Sequence, residues 1–278
     1  MLKHQDPGQW LSWLGLQEPG KSAVLADVAG GTGALSRWLL HARRNLDAVV
    51  LDLDPVLLDA GCRKARDEGL DKRMTFTQAD ASALPLNNGG VDVAFVFGAL
   101  QVIPNGRQAI RELARIARTS VVVFWAVMDF LSPSNKASGS RFAAEIRTLE
   151  GLLHGGHASH CHPPSTSDLS LEAVPEIMAS SGLKNLRVRG LMLTIDPEEM
   201  NHETYVAYRN EECCLLEDFA RTLATAMTES HDDQVNRLCC LYRLLRDELV
   251  QDHAAGLRKY FWDGGPVVIW IGDVPSNR

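Results

Sequence analysis

The stretch at residues 23–36 reads AVLADVAGGTGALS, an apolar run followed by a glycine-rich turn and the start of a helix. Glycine serves where the backbone must turn tightly or approach a ligand without a Cβ in the way, and the amides at a helix start face polar or anionic groups. The stretch therefore predicts a strand, loop and helix that hold a nucleotide-like cofactor. Asp27 ends the strand, where a carboxylate would repel a pyrophosphate and suits a cationic amine instead.

Two further apolar runs, each followed by an aspartate, come after the glycine loop at the spacing of strands in a Rossmann-like sheet. The run Ala48–Leu51 leads into Asp52, about 20 residues after the loop, where an acid meets ribose hydroxyls in a Rossmann-like sheet. A third run, Met74–Thr77, leads into QADASALPL at residues 78–86. The ordered motifs predict successive strands of one parallel sheet.

Together with VDVAFVFGALQVI at residues 91–103 and the helix at residues 108–116, these motifs resemble the class I S-adenosylmethionine (SAM) dependent methyltransferases. Within that class they resemble the group that includes the ubiquinone/menaquinone C-methyltransferases. The resemblance covers residues 23–128 and implies an α/β fold. The implied fold is a Rossmann-like seven-stranded sheet, mostly parallel with its last strand antiparallel. Helices are expected on both faces of the sheet, together with a helical cap or insertion.

The resemblance also implies which residues hold SAM. Asp27 is expected near the methionine amino group, and Asp52 at both ribose hydroxyls. Leu53 would pack on adenine, Asp80 would accept from the adenine amino group, and the amide of Ala81 would donate to the ring. Gly31 and Gly33 would allow the backbone to approach the cofactor. Phe97 and Gly98 would line the methionine and reaction side. The full set is Asp27, Ala29, Gly31, Gly33, Asp52, Leu53, Asp80, Ala81, Phe97 and Gly98.

Composition favours a cytoplasmic enzyme. The 278 residues are 45% hydrophobic and 23% charged, enough for one large domain or one with a cap. The formal net charge of −7 argues against tight nucleic-acid binding, which needs a basic surface. The N-terminus lacks the apolar stretch of a signal peptide, and the run at residues 121–128 is too short to span a bilayer, so no membrane partner is expected.

The cysteines and arginines have ordinary structural interpretations. The adjacent pairs Cys213-Cys214 and Cys239-Cys240 do not fit a C-x-x-C zinc spacing, so reduced, packed thiols and no metal are expected. Four arginines at helical spacing are interpreted as the solvated outer face of the helix after strand four. They are Arg107, Arg111, Arg115 and Arg118.

The pattern divides the chain into six segments. Helices are predicted at residues 141–153 and from Ser170 to Gly182, and the last two strands at Leu186–Thr194 and Pro266–Gly272. The helical insertion between those strands is either a cap over the acceptor pocket or a homodimer interface. The segments are an N-terminal lid helix (1–22), the SAM-binding core (23–128), an insertion or lid after strand five (129–169), a helix with strand six (170–195), the helical insertion (196–265), and strand seven with the tail (266–278).

The acceptor side has fewer signals. The N-terminal helix could close over the cofactor with Trp10 and Trp13 in the substrate pocket, or these two could pack in the core. At the end of strand five, aromatic and polarizable side chains could form a wall for a planar acceptor. Core packing also explains Trp125, which is one of them. These are Trp125, Met128 and Phe130.

A histidine run follows among glycines and prolines. Its interpretations are a solvent-facing or lid loop, a base or substrate contact, and a metal site, the last lacking a clear ligand set beyond Cys161. The candidate catalytic residues are His154, His157, His160 and His162.

The sequence therefore predicts a SAM-dependent methyltransferase for a small organic molecule, such as one of specialised metabolism. Two alternatives stay open because fold alone does not fix a reaction. In the first, SAM undergoes another reaction, such as a cyclisation that releases methylthioadenosine. In the second, the protein is a non-catalytic partner that binds SAM.

Overall fold

The computed structural model describes residues 5–18, 20–126, 139–153, 167–195, 200–226, 231–257 and 263–276. The strands are β1 (Ala23–Val28), β2 (Leu46–Asp52), β3 (Met74–Gln78), β4 (Val91–Phe97), β5 (Ala117–Ala126), β6 (Lys184–Ile195) and β7 (Asp263–Asp273). The helices are α1 (Pro7–Trp13), α2 (Ala34–Ala42), α3 (Pro55–Asp67), α4 (Gly106–Ile116), α5 (Ala143–Leu153), α6 (Val174–Ser180), α7 (His202–Ala226) and α8 (Asp232–Ala254). A 3-10 turn, Leu171–Ala173, precedes α6.

The strands form one seven-stranded sheet in the order β3-β2-β1-β4-β5-β7-β6. β1 pairs in parallel with β2 and β4, so that Asp27 lies opposite Val50 on one side and Phe95 on the other. β7 runs antiparallel to β5. The predicted Rossmann-like fold with an antiparallel last strand is therefore confirmed. The strand order reverses between β1 and β4, and a ligand is expected outside the carboxyl ends of the strands at that point.

The central strands are buried almost throughout. In β1 the run Leu25–Val28 is buried, and in β4 the run Val93–Val96. Parallel strands covered on both faces are continuous apolar runs, which is why these segments could be found from the sequence. Asp27 is the exception, because a carboxylate with only 2% of its surface exposed stands in the middle strands of the sheet.

Local capping fixes where two helices begin. Asp54 accepts a hydrogen bond from the amide of Val56 at 2.8 Å, and Pro55 is the first residue of α3. Asp6 does the same for α1, accepting from the amide of Gly8 at 2.9 Å. Capping acids and a proline at the first helical position are the ordinary N-terminal signals of a helix. The cap of α3 leaves Asp52 at the end of β2, beside the glycine loop.

The chain forms two compact units. The unit that contains most of the sheet comprises residues 2–126, 165–191 and 267–278, and the second comprises residues 127–164 and 192–266, each over its described parts. In the second unit Ile146 and Leu153 of α5 share a hydrophobic core with Leu238, Leu241 and Tyr242 of α8. The two insertions are thus parts of one helical unit, a link that no motif in the sequence indicated.

The helical character predicted for the second insertion is confirmed by α7 and α8, of 25 and 23 residues. Among the described ranges, no helix combines the length and apolar character that crossing a bilayer requires. Each adjacent cysteine pair has one buried and one exposed member, with Cys213 and Cys239 inside. Burial raises the pKa of the Cys213 thiol to about 12, so this thiol stays protonated and packs as a small apolar group.

Candidate cofactor site

The loop between β1 and α2 depends on left-handed backbone. Ala29 has φ +54°, Gly31 +54° and Gly33 +66°. At Gly31 an added Cβ would meet only Leu57 Cδ1, at 3.7 Å, so the backbone there is open on the side that a ligand would approach. At Gly33 an added Cβ would lie 2.9 Å from Val50 Cγ2. Gly33 is therefore required by packing against β2, in addition to the role that the resemblance implies for it.

Asp27 is held in an apolar setting. Its Oδ2 accepts a hydrogen bond from the hydroxyl of Ser36 at 2.7 Å. A Cβ on Gly30 would come within 2.5 Å of the Asp27 carboxyl carbon, so this glycine lets the loop cross directly over the acid. Burial, with the negative charge of Asp52 in the same direction and the Ser36 bond opposing it, raises the pKa of Asp27 to about 7. A cation beside this carboxyl would restore its charged form.

Asp52 connects the loop to β2. Its Oδ2 accepts from the amide of Gly31 at 2.7 Å, and its Oδ1 accepts from the amide of Asp54 at 2.9 Å. The two bonds fix the carboxylate plane at the carboxyl end of β2. Each oxygen keeps a second lone pair, so a diol can still donate to both.

The side predicted for adenine is formed by two short segments after β2 and β3. Leu53 is 67% exposed, so its apolar side chain is open to contact with a ligand. Gln78 donates through Nε2 to the carbonyl of Leu53 at 3.0 Å, which ties the segments together. Asp80 accepts at Oδ1 from the amide and hydroxyl of Ser82, both at 2.7 Å, and these bonds lower its pKa. Asp80 is therefore an ionised, exposed acceptor, and its assignment to adenine stays a prediction.

The aromatic residues near the carboxyl ends of β4 and β5 pack on one another. Trp10 is 0% exposed and stacks on Phe124, with ring centroids 5.1 Å apart and planes at 18°. Its ring also lies 6.0 Å from that of Phe97 and 5.8 Å from that of Trp38. Of the two interpretations of Trp10, core packing is the one that the structure shows. Its placement in a substrate pocket needs correction, because none of its surface is open to a ligand.

Other predicted positions have mixed outcomes. Trp13 is partly exposed beside Trp10. Gly98 has φ +65°, and no atom of the described residues lies within 4 Å of a Cβ added there. Trp125 is buried and belongs to the core of the sheet unit, which again favours core packing. The following predicted residues lie outside the described ranges: Met128, Phe130, His154, His157, His160, Cys161 and His162. Within the described ranges, no group of three His, Cys, Asp or Glu side chains could hold a metal ion.

The arginine run is not one uniform solvated face. Arg111 is exposed, whereas Arg115 is half-buried and donates to Glu112, a buried acid on the same helix. Arg115 also donates to the carbonyl of Leu84, in the segment after Asp80. The sequence interpretation missed this contact, since the only signal was an acid three residues before an arginine.

Comparison with known proteins identifies the domain. The family Methyltransf_25, described as Methyltransferase domain, matches residues 25–120. The ubiquinone/menaquinone biosynthesis C-methyltransferase UbiE of Dinoroseobacter shibae is 34% identical over 108 residues, which are 39% of this chain and 42% of that protein. UbiE of Bartonella quintana is 32% identical over 109 residues, again 39% of this chain and 42% of that protein. The chain thus spans less than half the length of these relatives.

Two solved structures share the fold. A putative sarcosine dimethylglycine methyltransferase from Galdieria sulphuraria has a TM-score of 0.53 at 15% identity, covering 97% of this chain and 84% of that one. The [4+2]-cyclase SpnF has a TM-score of 0.52 at 16% identity, covering 97% of this chain and 79% of that one. At these identities the likeness shows the fold alone.

The sheet, the glycine loop and the matched residues define a class I SAM-dependent methyltransferase domain, whose cofactor is SAM. Within that class, the match is to the ubiquinone/menaquinone C-methyltransferase group that the sequence motifs resemble. The residues present fit the cofactor, because the described part of the chain gives Asp27 no cationic hydrogen-bond partner and leaves the backbone at Gly31 open.

Asp52→Ala should weaken the binding of SAM by about 2–4 kcal/mol, about 30- to 1000-fold, because a charged hydrogen bond is worth about 1.5–3 kcal/mol. Isothermal titration calorimetry with SAM measures the effect. Asp47→Ala is the control, since Asp47 is exposed at the opposite end of the same strand. Unchanged affinity in Asp52→Ala would show that the ribose lies elsewhere.

Proposed function

We propose that this protein transfers the methyl group of SAM to a small organic molecule. The observation that carries the proposal is the alignment of three acids at the carboxyl ends of neighbouring strands. Asp27 is the penultimate residue of β1, Asp52 ends β2 and Asp80 follows β3. The Asp52 carboxylate accepts from the loop amide of Gly31. This order matches an amine, a diol and an aromatic amine taken along one extended ligand.

Each group of this chain has a distinct task in that arrangement. The Asp27 carboxylate pairs with the ammonium group, and Asp52 accepts from the ribose. Asp80 and the exposed Leu53 orient and cover the adenine. When bound, SAM supplies an electrophilic methyl group, which a nucleophilic acceptor atom takes as the bond to sulfur breaks. The remaining work of the protein is alignment, exclusion of water and removal of a proton from the acceptor where one is lost.

We propose that acceptor choice lies after β5. The relatives named for ubiquinone and menaquinone biosynthesis match this chain over 39% of its length, and the family match ends at residue 120. The helical unit lies beyond that match, so a quinone acceptor does not follow from the likeness. His154, His157, His160 and His162 stay candidate bases; if one is the base, its replacement by alanine lowers turnover without changing SAM affinity.

A second function, in which SAM itself is the substrate, stays open because the fold alone does not fix the reaction. The fold neighbour SpnF is named a [4+2]-cyclase, so a protein of this architecture need not be named for methyl transfer. Attack at a carbon other than the methyl group would make SAM itself the substrate. The acids that hold the amine, ribose and adenine do not distinguish these reactions.

The deciding experiment incubates the purified protein with SAM and analyses the nucleosides by mass spectrometry. Without an acceptor, we expect SAM to stay intact apart from slow background loss. With a panel of phenols, quinols and amines, we expect S-adenosylhomocysteine and one methylated compound to form in equal amounts. Asp52→Ala should lose this activity at SAM concentrations that saturate the native protein.

Two results would overturn the proposal. Steady release of methylthioadenosine without an acceptor would show that SAM is cyclised. Failure of the native protein to bind SAM in calorimetry would show that the three acids do not hold SAM.

A further inference from the structure

Two residues of α4 contact the segment that follows Asp80. The Glu112 carboxylate accepts from the amide of Leu84 at 2.8 Å. Arg115 donates to the carbonyl of Leu84 at 2.9 Å and to that of Leu86 at 2.7 Å. Both backbone polar groups of Leu84 are therefore bonded to side chains of one helix.

The pair is rigid. Arg115 donates through Nε to Glu112 Oε1 at 2.7 Å and through a terminal nitrogen to Oε2 at 2.6 Å, the two-pronged geometry of a strong ion pair. Glu112 is buried, and its pKa is lowered chiefly by the hydrogen bonds from Arg115. Leu84 is buried in the core of the sheet unit. Because Glu112 is buried and Arg115 half-buried, water screens this pair less than it would a fully exposed pair.

The held segment continues directly from the predicted adenine contacts. The amide of Ala83 donates to the carbonyl of Asp80 at 3.0 Å, and Ser82 bonds to the Asp80 side chain. A tight turn thus joins Asp80 to Leu84. Since β3 fixes the segment before Asp80, the hold on Leu84 fixes it from the other side.

We propose that Glu112 and Arg115 are positioning residues that set Asp80 and the amide of Ala81 for recognition of the adenine ring. This inference rests on the proposed function. The pair touches no ligand and acts through the backbone at Leu84. Loss of the pair should therefore impair selection of the base more than it impairs binding of the amino acid and ribose.

The test compares the binding of two ligands, S-adenosylhomocysteine and S-inosylhomocysteine, in which an oxo group replaces the adenine amino group. The native protein should prefer the adenosyl compound by about tenfold or more, because a carboxylate accepts from an amino group and is left unpaired by an oxo group. Asp80→Ala, the positive control, should remove that preference. Calorimetry gives both dissociation constants for each variant.

Glu112→Ala should reduce the preference by about threefold or more, a readout that a loss of overall stability does not move. Glu112→Gln keeps an acceptor for the Leu84 amide and should restore most of it. Arg115→Lys keeps the charge but not the fork of donors, so its preference should lie between those of Glu112→Ala and Glu112→Gln. If Glu112→Ala does not fold, Arg115→Lys serves as the test variant. Arg118→Gln is the matched control, because Arg118 pairs with Asp92 at 3.0 Å and should leave the preference unchanged.

Equal weakening of both ligands in Glu112→Ala or Arg115→Lys, with the preference intact, would overturn the inference and leave the proposed function standing. Absence of a preference in the native protein would misplace Asp80, and the positioning role with it. Failure of the native protein to bind either ligand would overturn the proposed function as well.

Discussion

Asp27→Asn should stabilise the ligand-free protein above pH 7, by on the order of 4 kcal/mol. The pKa of Asp27 rises from 3.8 to about 7 in the fold, mainly because the carboxyl is buried. Ionisation of this group is thus harder in the folded than in the unfolded state. An amide has no such penalty and can still accept from the Ser36 hydroxyl.

The sign sets the pH window. Below pH 3.8 Asp27 is protonated in both states and costs nothing. As the pH rises from 3.8 to about 7 the unfolded state loses its proton first, so the native protein loses stability. Above pH 7 the loss is complete and the contribution is flat. Asp27→Asn should remove this slope.

The cofactor should reverse the effect. An ammonium group beside Asp27 stabilises the carboxylate, so SAM should bind the native protein more tightly as the pH rises through 7. Asp27→Asn should bind SAM weakly and without this pH dependence.

Urea unfolding at pH 5.5 and pH 8, with and without SAM, measures both effects. Asp59→Asn is the control, since Asp59 is exposed on α3 and pairs with Arg63. A parallel loss of stability in Asp27→Asn and the native protein between these pH values would contradict the assignment.

Trp10→Ala should lower the free energy of unfolding by about 3–5 kcal/mol, the usual loss when a buried aromatic side chain is truncated. Trp10 is fully buried, and its ring packs on Phe124, Phe97 and Trp38. Trp10→Phe should cost much less. Within the described ranges the Trp10 indole nitrogen has no hydrogen-bond partner, so phenylalanine sacrifices no bond there.

Urea unfolding followed by circular dichroism measures this loss. Trp13→Ala provides the comparison, because Trp13 is partly exposed and should cost less. If Trp10→Ala kept its stability and lost only SAM affinity, α1 would be a lid and Trp10 a ligand contact.

The sequence was sufficient for features that depend on neighbours along the chain. The apolar run before Gly30, the glycine turn after it and the acid at the end of β2 predict strand, turn and helix where the structure has them. Turn chemistry and periodicity are local properties. The order of the motifs, through their resemblance to a known class, also predicted the parallel sheet and the antiparallel β7.

Only the tertiary structure decided what distant residues do to one another. The sequence predicted a helix at residues 141–153 and a helical insertion at residues 196–265, but not that Ile146 and Leu241 share a core. It placed Asp27 at a strand end, but the raised pKa comes from burial beneath a folded loop. It showed Glu112 and Arg115 three residues apart, but their contact with Leu84 joins residues 28 and 31 positions apart. Desolvation and side-chain partners arise from chain segments that meet only on folding, so no local pattern contains them.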